Sequence, residues 1–95
     1  MDEEPYAVTH TFDISQYIDS DPKHFGNRPF IRGKRVMVQT IGIDYKRGRT
    51  PEETAEARRL ELAEVHAGLC YYFANKAAID RDLQQQQQEY DRHAA

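Results

Sequence analysis

Leu62, Val65, Leu69, Tyr72, Lys76, Ile79 and Leu83 recur at alternating steps of three and four, which draws one seam along a helix of about 22 residues, interrupted only by Lys76. No other pattern in the chain constrains the fold as strongly. Its first half, LAEVHAGLCYYF, has the apolar density of a core helix, with Phe73 widening the stripe. Its second half, AIDRDLQQQQQEYDRHAA, is polar beyond Ile79 and Leu83 and needs a partner or frays. The run Gln84 to Gln88 is helix-compatible low complexity and offers no chemistry.

Upstream of the seam, Thr50-Pro51-Glu52-Glu53 is a helix start: Thr50 caps, Pro51 suits the first helical position, and Glu53 completes a capping box. That helix runs to about Arg58. The break before the next lies between Arg58 and Glu61, where no Gly or Pro marks it, and a continuous helix stays open. Gln39 to Arg47 fits a shorter helix stopped by Gly48, although Thr40 and Gly42 weaken it. Before it, Pro29-Phe30-Ile31 and Val36-Met37-Val38-Gln39 flank Arg32-Gly33-Lys34-Arg35, which reads as a hairpin with Gly33 at positive φ. In residues 1–17, Tyr6, Val8, His10, Phe12 and Ile14 alternate as one face of an edge strand.

The expected architecture is mainly α: a winged-helix-like, three-helix helix-turn-helix domain with a short N-terminal β-hairpin and an extended C-terminal helix. Residues 1–17 form an arm or edge strand, 18–75 the domain, and 76–95 a helical tail. With 95 residues there is room for one small domain and no large substrate cavity. No apolar run is long enough to span a membrane, and the acidic start MDEE is unlike a signal peptide, so a cytoplasmic protein is expected.

The net charge of −3 conceals strong zoning. Residues 1–22 hold six acids and no base, whereas residues 23–49 hold eight bases and one acid, Asp44. A concentrated positive stretch in an acidic protein points to a polyanion. A solvated face that self-associates with the acidic tail accounts for it equally well, and charge alone does not choose.

Chemistry-bearing constellations are sparse. His10, His24, His66 and His93 are scattered, and the single cysteine, Cys70, excludes an internal disulfide, so neither a metal site nor a cofactor is expected. Cys70 and His66 share a helix face, but a Cys beside Leu69 and Tyr71 reads better as a packing residue. The five glycines are isolated and form no phosphate-binding loop or nucleophile elbow, so no enzyme is expected. Arg47, Arg49, Arg58 and Arg59 surround the second helix, and Arg28, Arg32, Lys34 and Arg35, with Asn27, lie in the hairpin. They are placed to meet phosphates as the flanks and wing of a helix-turn-helix, or else to solvate exposed ends.

The run DPKHFGNRPFIRGKRVMVQTIGIDYKRGRTPEETAEA, followed by LELAEVHAGLCYYFAN, resembles the bacterial family known as domain of unknown function 433 over residues 18–75. Its pattern is met by Asp21, Pro22, Gly26, Pro29, Ile31, Arg32, Gly33, Arg35, Val38, Gly48, Pro51, Glu52, Glu53, Leu62, Glu64, Val65, Ala67, Leu69 and Tyr71. It departs at Lys34, where Thr is usual, and at residues 56–61, which lack a Tyr-Pro break.

The resemblance implies a VapB-like antitoxin of helix-turn-helix type: a homodimer that binds operator DNA and neutralises a PIN-like ribonuclease toxin. On that basis the DNA contacts are Arg28, Arg32, Lys34, Arg35, Arg47, Arg49, Arg58 and Arg59. The tail lies along the toxin, with Ile79, Leu83 and Tyr90 as anchors and Arg81 and Arg92 directed at its carboxylates. The alternative is a dimeric interaction or inhibitor module that does not bind DNA.

Overall fold

The computed structural model describes residues 13–94, and Tyr6, Val8, His10 and Phe12 of the expected edge strand lie outside them. Ile14, the last position of that alternation, falls in a 3₁₀ turn, Ile14–Gln16, capped by the Asp13 carboxylate. Two short strands follow, β1 (Ile18–Asp19) and β2 (Phe30–Ile31), antiparallel with Ile18 opposite Ile31. Then come four helices: α1 (Val38–Lys46), α2 (Pro51–Arg58), α3 (Leu62–Ala74) and α4 (Lys76–Ala94). Among the described residues no helix is long and apolar enough to cross a membrane.

The chain is mainly helical, with a small two-stranded sheet and a long C-terminal helix, as the sequence predicts. The partner of β2 differs from the expectation. The turn at Gly33 is present (φ 78°), and Ile31 N–H donates to the Val36 carbonyl at 2.8 Å. Yet only a single bridge, Phe30 to Met37, continues it, because Val38 already starts α1 and its N–H donates back to the Pro29 carbonyl. Ile18 and Asp19 fill the vacant edge of β2 instead.

Helix boundaries follow the local chemistry. Gly48, at φ 87°, stops the chain just past α1. The Thr50–Glu53 capping box opens α2 with both reciprocal bonds, at 2.8 and 3.1 Å. The break that the sequence leaves unplaced is at Arg59, which adopts a left-handed conformation (φ 59°, ψ 47°) usually reserved for Gly. Leu60 follows it into the core, its N–H bonded to the Ala55 carbonyl, and a second capping box, Glu61 with Glu64, launches α3. Two separate helices joined by a tight turn therefore replace the continuous one left open.

The long seam is also broken. Asn75 ends α3: its side-chain amide and its backbone N–H both donate to the Tyr71 carbonyl, at 3.0 and 3.1 Å. Its own carbonyl accepts the Ile79 N–H and so begins α4. A short amide side chain that competes for helical carbonyls terminates helices in this way. Val65, Tyr72 and Ile79 are nevertheless buried as the periodicity requires, together with Ile18, Ile31, Val38, Ile41, Leu60 and Ala67. Leu62, at the head of the seam, is 42% exposed. Leu83 is half-buried against the core, so the first half of the tail belongs to the folded body.

Candidate nucleic-acid and partner surfaces

The basic residues that mark the sequence are largely held by acids of the same chain. Arg28 donates to both carboxylate oxygens of Asp82 on α4, at 2.6 and 3.1 Å. Arg32 pairs with Asp19 at 3.1 Å and also donates to the Ser15 carbonyl. Lys34 reaches Glu64 at the start of α3, at 3.3 Å. Arg58 makes a two-pronged contact with Asp44 at 2.9 and 2.8 Å, and Arg49 approaches the same carboxylate at 3.5 Å. These five side chains act first as internal ties, which accounts for much of the zoned charge.

Two carboxylates organise this network. Asp44, fully buried on α1, is held below the usual carboxylate range by the Arg58 hydrogen bond, against the opposing effect of its burial. Asp80, on α4, accepts from Lys46, Lys76 and the Tyr72 hydroxyl, at 2.8, 2.9 and 2.7 Å. Those three donors hold it far below the ordinary range, and they join α1, α3 and α4 at one point.

Arg35, Arg47 and Arg59 are exposed and carry no carboxylate contact among the described residues. Lys23 is in the same position and was not singled out from the sequence, because it is separated from the Arg-rich turn by a run of turn-forming residues. On α3 the exposed side chains are Leu62, Ala63, His66, Cys70, Phe73 and Ala74, with no Lys or Arg among them. Phe73 is 47% exposed and meets the edge of Tyr45 at 4.9 Å, extending this apolar face onto α1. The sequence places Phe73 in a widened core stripe, whereas it shares the exposed face of α3 with Leu62, His66 and Cys70.

The five residues expected to meet a toxin fall into two groups. Ile79 is buried in this chain's own core and Leu83 packs against it. Arg81, Tyr90 and Arg92 are exposed, Tyr90 at 70%. From Gln87 to His93 every side chain is exposed, and the Gln87–Asp91 hydrogen bond stays within the helix.

The family model described as protein of unknown function (DUF433) matches residues 18–72, more than half of the chain. The chain belongs to the DUF433 family. The matched span runs from β1 through the buried Tyr72 and covers the sheet, α1, α2 and most of α3. Neither the curated proteins nor the solved structures contain a match to it. The helix α4, which lies beyond the DUF433 match, is nonetheless tied to it by Arg28–Asp82 and Lys46–Asp80.

Proposed function

We propose that this DUF433 chain is the antitoxin of a toxin–antitoxin pair, of VapB-like type, and that its inhibitory element is the distal half of α4. The observation that carries this reading is the contrast within one helix. Ile79, Asp80, Asp82 and Leu83 fasten the first turns of α4 to the body, while residues 87–93 present Tyr90 and Arg92 with every side chain exposed. A polar helix held out in this way gains little packing from the described residues, and a groove on a partner supplies what it lacks. Tyr90 is the anchor, and Arg92, assisted by the exposed Arg81 of the docked half, meets the acidic, metal-binding centre of a PIN-like ribonuclease.

The test is inhibition of the PIN-like nuclease that this proposal expects in the adjacent reading frame. Tyr90→Ala with Arg92→Ala in the full chain is expected to weaken inhibition at least tenfold, with unchanged helix content. Full inhibition by that variant would refute the assignment.

The second element of the reading is operator binding by the homodimer. Arg35, Arg47 and Arg59, whose guanidinium groups carry no carboxylate contact among the described residues, are the candidates, and their replacement by Ala should abolish a salt-dependent interaction with the upstream DNA. One observation favours the alternative of an inhibitor that does not bind DNA: apart from His66, the exposed face of α3 carries apolar and small residues and no Lys or Arg, where a groove-reading helix carries base and phosphate contacts. Such a face suits a second copy of the chain. Absence of binding at low salt would leave the inhibitor module as the function.

A further inference from the structure

The segment between β1 and β2 is bent more sharply than a connection between two strands requires. Phe25, Gly26 and Asn27 are all left-handed, at φ 55°, 63° and 64°. A bulky aromatic rarely adopts this conformation, and it persists only where surrounding contacts over-determine it. Here they do. The His24 N–H donates to the Asp21 carbonyl at 3.0 Å and the Asn27 N–H to the His24 carbonyl at 2.9 Å. Arg28, anchored on Asp82, also donates to the Phe25 carbonyl at 3.3 Å.

The consequence of the bend is the position of the Phe25 ring. It lies 5.2 Å from the Phe30 ring, both half-buried, in the wall of a concavity of about 430 Å³. Lys23, Lys34 and Arg35 line the same space. Among the described residues the carboxylate lining it is Asp21, already engaged by the Lys23 N–H and His24 Nδ1, both at 2.9 Å. Lys34 is shared with Glu64, but Lys23 and Arg35 have no carboxylate contact among the described residues. The volume is within the range of small-ligand pockets.

We propose that this concavity binds a nucleotide unit, its base against the Phe25 and Phe30 rings and its phosphate on Lys23, Lys34 and Arg35. An acidic peptide would satisfy the cations and leave the rings uncovered, whereas a nucleotide uses both. The unit is either a free nucleoside monophosphate or the phosphorylated end of a single strand. This site is distinct from inhibition by α4; it shares Arg35 with the operator-binding set, and Lys23, which lies outside that set, lets the two fail separately.

Calorimetric titration of the full chain tests it with 5′-AMP, adenosine, inorganic phosphate and a 5′-phosphorylated tetranucleotide. The proposal expects saturable binding of 5′-AMP, with adenosine and phosphate each at least about tenfold weaker. Tighter binding of the tetranucleotide identifies a strand end, and equal binding identifies the free nucleotide. Lys23→Ala and Arg35→Ala are expected to weaken binding about tenfold each, and Arg47→Ala to leave it unchanged. Phe25→Leu, which keeps an apolar side chain in the loop, should erase the preference for 5′-AMP over phosphate. No saturation by any probe up to about 10 mM, equal affinity for phosphate and 5′-AMP, or indifference to Lys23→Ala and Arg35→Ala would overturn it.

Discussion

Arg28 and Asp82 are 54 positions apart in the chain and form a two-pronged ion pair, with Nε to Oδ2 at 2.6 Å and Nη2 to Oδ1 at 3.1 Å. The pair joins the connection before β2 to α4, so a residue whose sequence context suits a phosphate contact is a fastener between the family domain and the tail. Both side chains are 32% exposed, which places the interaction between the weak surface pair and the costly buried one. A double-mutant cycle of Arg28→Ala and Asp82→Ala in urea unfolding should return a coupling of about 1 kcal/mol. Strict additivity of the two changes would show that α4 is not docked through this pair.

Asp44 makes stability depend on acid. Its carboxyl is held below the ordinary value of 3.8 in the folded chain, so its contribution is fully present above that value and is lost as pH falls through the lower, folded one. Asp80 behaves with the same sign. Asp44→Asn should cost about 2 kcal/mol at neutral pH, less than a fully buried pair because the Arg58 side chain stays 34% exposed. The curves of wild type and variant, measured by chemical unfolding across pH, should begin to approach each other below pH 3.8 and meet only below the lower, folded value. Parallel curves would remove Asp44 as the source.

Gly42 is a volume constraint inside α1. A Cβ there would lie 2.8 Å from the ring of Tyr72, which is fully buried and fixed at its hydroxyl by Asp80. Alanine improves helix propensity by about 1 kcal/mol, but overpacking against an immobile ring costs about 1 to 3. Gly42→Ala is therefore expected to lower the thermal midpoint. A raised midpoint would mean that the α1–α3 contact is loose.

Much of this fold is legible in the sequence, and the parts that are not share a cause. The Thr50–Glu53 box, the Gly33 turn and the Gly48 stop are local signals, and Val65, Tyr72 and Ile79 face the core as their spacing dictates. The two breaks are hidden because Arg59 takes a conformation typical of Gly and because Asn75 carries no Pro or Gly beside it. The basic block was visible, but its neutralisation was not. Lys46 reaches Asp80 from 34 positions away and Arg58 reaches Asp44 from 14, distances over which composition is silent. Ile79 and Leu83 illustrate the same limit, since an apolar pair in a polar tail fits a partner's groove as well as its own core until the fold is seen.

The most direct measurement is inhibition by a chain ending at residue 86, which keeps Ile79, Asp80, Asp82, Leu83 and the Gln39–Gln86 hydrogen bond. Its urea midpoint should match that of the full chain, while its inhibition of the proposed PIN-like nuclease partner should be lost. A truncated chain that retains its midpoint and inhibits as well as the full chain would contradict the assignment of inhibition to the distal half of α4.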